Sequence, residues 1–181
     1  MKTNPYTLSV RAFTLLELLV VMSIIAILAT AGLKVGAAAK RVARKAQAHN
    51  DCLIFVNSLS QYRALEMPFP KAWDGGQSTN RPFLAALLGE KSKWNRTCTA
   101  YFGPGRVTNN PRAHGHVVTR NQFNDPWGMP YQIHLDTEEK GELTLPPAYG
   151  EVFGSQVTGR PIFVHSAGPD GDFSTVDDNI T

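Results

Sequence analysis

The chain has 181 residues, of which 18% are charged, and its formal net charge is +3. This length is enough for one modest domain beside a membrane segment. Lys and Arg are concentrated in residues 34–45. The positive charge therefore does not indicate a nucleic-acid-binding face, and we expect no nucleic-acid partner.

The most informative segment is an apolar run near the start. Residues 13–33 contain one acid, Glu17, four residues after Phe13. An ionised residue near the centre of a membrane helix costs about 2.5–3.5 kcal/mol, so a segment that carries one has a use for it. The run is longer than the core of a secretory signal, which is about 7–15 residues. Since about 20 helical residues cross the hydrocarbon core, the sequence predicts a transmembrane helix at 13–33.

The helical pattern continues through residues 34–66 and becomes amphipathic. No proline occurs between Phe13 and Met67, which favours one continuous helix of about 50 residues. Apolar residues at steps of three and four predict the face that packs on a soluble surface. This predicted stripe comprises Val35, Ala39, Val42, Ala46, His49, Leu53, Val56 and Leu59.

Residues 67–181 predict a β-rich globular head. Pro68 ends the long helix, residues 71–81 read as loop, and 81–88 as a short helix with a proline in its first turn. A strand is expected at 116–119. Asp125-Pro-Trp-Gly has the chemistry of a tight turn. The alternating residues 131–136 and 161–166 predict two further strands. The predicted fold class is α+β, a long helix packed on a small antiparallel sheet.

An acidic loop follows the last strand. It spans residues 166–178 and places four carboxylates among Gly and Ser, at Asp170, Asp172, Asp177 and Asp178. Ca²⁺ takes six to eight oxygen ligands from such groups, but the same composition is common in solvated turns. The residues alone leave both interpretations open.

The remaining reactive residues give no catalytic pattern. His114, His116, His134 and His165 are interpreted as exposed loop histidines, because no ligand set of metal-binding spacing accompanies them. There is no nucleophile elbow and no phosphate loop, so we predict that the protein is not an enzyme. Cys52 and Cys98 either form one disulfide or stay as two thiols.

The N-terminal pattern, a basic leader and a small residue before FTLLELLVV, resembles type IV prepilins and the pseudopilins of type II secretion. The resemblance implies that a prepilin peptidase removes residues 1–12 by cutting between Ala12 and Phe13, and then N-methylates Phe13. Ala12 stands where the family usually has Gly. Glu17 would act in assembly. The family orientation, with the leader in the cytoplasm, opposes the orientation that the basic residues 34–45 favour by charge count.

The C-terminal motifs resemble the major pseudopilin more narrowly. These are Asp125-Pro-Trp-Gly-Met-Pro-Tyr and Ser166-Ala-Gly-Pro-Asp-Gly with a closing Asp-Asp. In that family this loop binds calcium, which implies Asp170, Asp177 and Asp178 as ligands. The implied protein is a single-pass inner-membrane subunit of a periplasmic secretion filament. Its implied partners are further copies, minor pseudopilins, the peptidase and the assembly platform. The alternative is a pilin of a surface fibre for adhesion, motility or DNA uptake.

Overall fold

The computed structural model describes residues 13–66, 68–103, 118–119, 122–153, 157–175 and 181. The chain divides into two compact units, Met1–Val42 and Ala43–Thr181. In the first unit the described residues belong almost entirely to one helix. The second unit, called the head below, holds the sheets and the core.

The first element is one helix, α1, from Leu15 to Glu66, and it has 52 residues. The prediction of a single uninterrupted helix is therefore confirmed. The helix ends at Glu66, two residues before Pro68, because a proline ring disfavours helical geometry in the preceding residue. Its last turn carries Arg63, a basic residue that suits the negative end of the helix dipole.

The buried face of α1 differs from the predicted stripe. The apolar residues that the head buries follow a four–three spacing: Ala48, Cys52, Phe55, Leu59 and Tyr62. Of the predicted stripe, Leu59 is fully buried, whereas Leu53 is 49% exposed and Ala46 and His49 are exposed. The predicted stripe is shifted by about one residue along the sequence from the buried face. It was therefore wrong, because it followed aliphatic residues and omitted the aromatic ones. Both spacings satisfy helical periodicity, and only the opposing surface decides between them.

The main sheet has three antiparallel strands in the order β1–β4–β7. Strand β1 is Gln77–Ser78, β4 is Gln132–Leu135 and β7 is Ile162–His165. In the central register Ile133 lies opposite Val164, and Leu135 lies opposite Ile162. The two long strands confirm the predictions at 131–136 and 161–166. The α+β class with a small antiparallel sheet is likewise confirmed, and the arrangement is consistent with a pilin-like fold.

The core of the head lies where α1 meets one face of this sheet. Phe55 stacks on Phe102 with ring centroids 4.7 Å apart and meets the edge of Phe123 at 5.2 Å. Tyr62 similarly contacts Trp73 at 5.2 Å. The strands contribute Ile133, Leu135, Ile162 and Val164 to the same cluster. Aromatic pairs at these separations add about 0.5–1.5 kcal/mol each beyond their burial.

A buried hydrogen bond also joins α1 to the sheet. The Tyr131 hydroxyl donates to Asp51 Oδ2 at 2.9 Å, and Asp51 is buried. Burial and the adjacent Asp51 carboxylate raise the pKa of Tyr131 above its usual value, so the phenol stays a donor. Asp51 is not a member of the predicted stripe, and its burial follows from this partner, since a charge is buried only with a hydrogen-bond partner.

The shorter elements complete the head. Helix α2, Arg81–Leu87, is capped by Asn80, whose side chain accepts from Phe83 N at 3.3 Å. This confirms the short helix. The segment predicted as loop at 71–81 instead holds a 3₁₀ turn, Lys71–Trp73, and strand β1.

Two small ribbons and one helix remain. Strand β2, Val118–Thr119, pairs with β3, Gln122–Phe123, which confirms a strand at the end of the predicted 116–119 segment; residues 116 and 117 lie outside the described part. Strand β5, Leu143–Thr144, pairs with β6, Val157–Thr158, and α3 spans Pro147–Phe153.

The two cysteines are not joined by a disulfide. Cys52 is buried in the α1 core and Cys98 is exposed. Burial, with the nearby carboxylates of Asp51 and Asp125, raises the pKa of the Cys52 thiol to about 12. Cys52 therefore stays protonated and serves as a small apolar side chain.

The buried face of α1 can be tested with two matched substitutions. Leu59→Ala removes a side chain that is 0% exposed, and we expect it to lower the free energy of unfolding of the head by about 2–5 kcal/mol. Leu53→Ala makes the same chemical change at an exposed site and should cost less than about 1 kcal/mol. Chemical denaturation of the full chain in a neutral detergent, followed by tryptophan fluorescence, measures both. Equal losses would contradict this assignment of the buried face.

Candidate functional site

The start of α1 is held by a reciprocal pair of side chains. Thr14 is the residue before the first helical turn, and its backbone N and its hydroxyl both donate to Glu17 Oε2 at 2.9 Å. In return, Glu17 N donates to the Thr14 hydroxyl at 3.2 Å. This is a capping box, which satisfies backbone donors that have no partner inside the helix. The Thr-x-x-Glu spacing is visible in the sequence, but only an assembly role of Glu17 was predicted there.

The helix surface that follows Glu17 is apolar on all sides. Phe13 is 71% exposed and Leu15 82% exposed, and the large apolar residues as far as Leu28 are all exposed in the single chain. Exposed apolar surface that is contiguous over several turns marks a site of protein or membrane contact. The helical residues 15–28 therefore require a partner of apolar chemistry.

The predicted processing site is only partly described. Phe13 is described, whereas Ala12 and the leader lie outside the described residues. Among the helical residues that the structure describes, we find none that form a stretch both long and apolar enough to cross a bilayer.

The Asp125 turn is built around one buried carboxylate. Asp125 Oδ1 accepts from the backbone N–H groups of Trp127, Gly128 and Met129 at 2.8–3.0 Å. Asp125 Oδ2 accepts from the Ser166 hydroxyl at 2.5 Å. Burial raises the pKa of Asp125 against the opposing effect of these hydrogen bonds. The two C-terminal motifs found in the sequence, Asp125-Pro-Trp-Gly and Ser166-x-Gly, are thus one structural unit.

The acidic loop forms a series of tight local hydrogen bonds. Asp170 Oδ1 accepts from Asp172 N at 2.9 Å, and Asp170 Oδ2 accepts from the Thr175 hydroxyl. These bonds hold the pKa of Asp170 below its usual value, with Thr175 the larger cause. Asp172 Oδ1 accepts from Ser174 N and Oγ at 2.8 Å. The loop therefore presents exposed oxygen donors, the ligand chemistry of Ca²⁺.

The predicted calcium ligands are not brought together by what is described. Asp170 is in place, but Asp177 and Asp178 lie outside the described residues. Among the described residues, no three His, Cys, Asp or Glu side chains come close enough to hold a metal ion. Calcium binding therefore stays a prediction.

Two of the histidines are placed differently from the sequence interpretation. His165 is only 1% exposed and His134 is half-buried, both on strands of the main sheet. The interpretation as exposed loop residues was wrong for these two, because β4 and β7 pair and bring them onto one face. His114 and His116 lie outside the described part of the chain.

Comparison with known proteins identifies the N-terminal segment. Residues 8–33 match the family model of the prokaryotic N-terminal methylation motif. No curated protein and no solved structure matches the chain. The match includes Ala12, Phe13 and Glu17. It supports the resemblance to type IV pilin-like proteins in general. The motif fits a membrane-anchored N-terminus.

Proposed function

We propose that this protein is a structural subunit of a type IV pilin-like filament, and specifically of a type II secretion pseudopilus. The observation that carries the proposal is the apolar surface of residues 13–28, exposed in the single chain, within a prokaryotic N-terminal methylation motif. Such a surface is stable in lipid or against other copies of the same helix, and a filament subunit uses both environments in turn.

Pairing through Glu17 would set the position of one subunit relative to the next in the filament. Cleavage between Ala12 and Phe13 would create a cationic amine at Phe13, at the edge of the apolar segment. The Glu17 carboxylate of a neighbouring subunit can pair with that amine, which relieves the desolvation cost of both charges. In the single chain the Glu17 carboxylate is occupied by Thr14. Assembly would therefore exchange a local cap for a contact between subunits.

The proposal sets the location and the partners. The chain would cross the bacterial inner membrane once, with residues 34–181 in the periplasm, until it is assembled into a periplasmic filament. Its partners would be further copies of itself, minor pseudopilins, the prepilin peptidase and the inner-membrane assembly platform. Repeated assembly would drive export of folded proteins. No catalytic role is proposed.

The alternative within the same class is a pilin of a surface fibre. The junction of the two C-terminal motifs favours the secretion subunit, since Asp125 and Ser166 share a buried hydrogen bond and both motifs resemble those of pseudopilins. Loss of the gene would separate the two functions. A secretion subunit is needed for export of folded proteins, whereas a pilin is needed for adhesion, twitching movement or DNA uptake.

Processing provides the first test of the proposal. When the full chain is coexpressed with a prepilin peptidase, we expect it to lose residues 1–12 and to begin with N-methyl-phenylalanine at Phe13. Mass spectrometry of the intact protein measures both changes. The matched motif spans residues 8–33 and includes this cut, so an intact leader or a cut near Ala31 would contradict the proposal.

Substitutions at the capping box separate assembly from helix capping. Glu17→Gln keeps a side chain that can close the box but removes the charge, and we expect filament crosslinking and export to fall at least about tenfold, the effect of about 1.4 kcal/mol. Thr14→Ala removes the capping hydroxyl and keeps the charge, so it should assemble nearly normally.

Membrane insertion is the control for both variants. Glu17→Gln should insert at least as well as the wild type, because a costly charge is removed. If Glu17→Gln assembles as well as the wild type while Thr14→Ala fails, the role of Glu17 is capping and not pairing between subunits.

Calcium binding by the C-terminal loop is a separate proposal with its own measurement. A metal that binds only the folded state stabilises it by about 2.7 kcal/mol at a hundredfold excess over Kd. We expect the full chain in detergent to melt at a higher temperature with calcium than with chelator, and Asp177→Ala to remove most of the difference. Magnesium should substitute poorly because it requires a smaller octahedral shell. Equal melting temperatures with calcium and chelator would exclude the site.

A further inference from the structure

The main sheet carries a chain of three polar rings on the face opposite the α1 core. The Tyr149 hydroxyl of α3 is hydrogen-bonded to His165 Nδ1, and His165 Nε2 lies 3.3 Å from His134 Nε2. The centroids of the two imidazole rings are 5.4 Å apart, and the ring planes are nearly parallel, with an angle of 18° between them. Since strand residues alternate between faces, this arrangement follows from the placement of Ile133 and Val164 in the α1 core. We call these three residues the histidine relay.

Aromatic rings pack on His165, and close backbone packs on His134. Phe173 from the C-terminal loop meets the His165 ring edge-on at 5.3 Å, and the Tyr149 ring meets the same ring at 4.8 Å. Gly76 lies against His134, where an added Cβ would be only 3.0 Å from Cε1. Leu143, Leu145 and Tyr149 form a small apolar cluster that covers this face and packs on Phe163 of β7. We call α3, this cluster and the Phe173 loop the outer layer.

The separation of the two Nε2 atoms leaves room for one proton. When both imidazoles are neutral, one donates its Nε2–H to the Nε2 of the other. The hydrogen bond between His165 Nδ1 and the Tyr149 hydroxyl decides which imidazole is the donor. One additional proton can enter at His134 Nδ1 while its Nε2–H donates to His165. A second additional proton would place N–H groups on both Nε2 atoms, facing each other. The contact at 3.3 Å cannot be kept in that state.

Burial is the largest cause of the lowered pKa of both imidazoles. His134 opens on a pocket of about 300 Å³ between the β1 turn and the turn after β4. Its ionisable lining residues are Asp74, Asp136, Glu138, Lys140 and Glu142. The Phe173 loop contributes Asp170 and Asp172, whose carboxylates are engaged in bonds within the loop, and α3 contributes the phenol of Tyr149. Burial, and then the neighbouring His134, lower the pKa of His165 to about 3, and burial lowers that of His134.

We propose that the histidine relay is an acid-operated latch, which holds the outer layer on the sheet at neutral pH and releases it when both imidazoles take up protons. The core against α1 stays folded, because it contains no histidine among its described members and is far larger than the outer cluster. Local opening of a small cooperative unit is the expected response when protonation affects only that unit. The proposal is independent of the filament function.

The direction of the pH effect follows from linkage. In the open state each imidazole returns to an ordinary pKa near 6.5, so below that pH the open state binds more protons than the closed state. Opening therefore increases as the pH falls. Between pH 7.5 and pH 5, His165 alone would increase it about 30-fold, and both histidines would increase it by up to about 1,000-fold.

Hydrogen exchange on the full chain in a neutral detergent tests the latch. After correction for intrinsic exchange rates, we expect protection in residues 143–150 and 170–173 to fall at least about tenfold from pH 7.5 to pH 5. Protection in residues 52–62 of α1 should be unchanged. Flat protection in the outer layer, or an equal loss in both regions, would overturn the proposal.

Two matched variants assign the effect to the relay. His134→Gln can still hydrogen-bond His165 Nε2 but takes up no proton, so the pH response of the outer layer should shrink. His49→Gln makes the same change at an exposed histidine of α1 and should leave the response intact. An unchanged response in His134→Gln would contradict the latch.

A measurement on the wild type avoids any effect of mutation on folding. The Cε1–H signal of His165, followed by NMR, should titrate below pH 6.5 and together with the loss of protection. Titration of this signal near pH 6.5 without loss of protection would contradict the latch.

Discussion

The head depends on the contact between α1 and one face of a very short sheet. The three strands have only two to four residues each, and such a sheet is marginal without a packing partner. The helix supplies that partner through Phe55, Leu59 and Tyr62, which share one apolar cluster with the strands. The bond from Tyr131 to Asp51 fixes the register of helix on sheet, because a buried carboxylate without its donor is costly.

The same contact decides what the far face of the sheet contains. Once Ile133, Leu135 and Val164 point to α1, strand alternation places His134 and His165 on the other side, where Tyr149 of α3 packs on His165. Two imidazoles side by side in a largely buried site can share one proton but not two. The sheet thus separates a core that contains no histidine among its described members from an outer layer that packs on the two imidazoles.

The N-terminal unit follows a different physical requirement from the head. The large apolar side chains of residues 13–28 are exposed, so this stretch of helix needs apolar surroundings. Within this surface the Thr14–Glu17 capping box keeps the one acid in a satisfied local state. A second partner for Glu17 must therefore compete with two hydrogen bonds, which favours a cationic partner such as a free amine.

The sequence by itself determined the features that depend on local order: the unbroken α1, its end before Pro68, the two main strands, the Asp125 turn, and the N-terminal motif with its single acid. These follow from residue spacing, proline and turn chemistry, which act within a few residues. Only the tertiary structure decided which helix face is buried, that Asp51 is a buried acceptor, and that His134, His165 and Tyr149 meet. Those outcomes depend on surfaces that are distant in sequence. Helical periodicity is compatible with several buried faces, and only packing against aromatic residues such as Phe102 and Phe123 selects one of them.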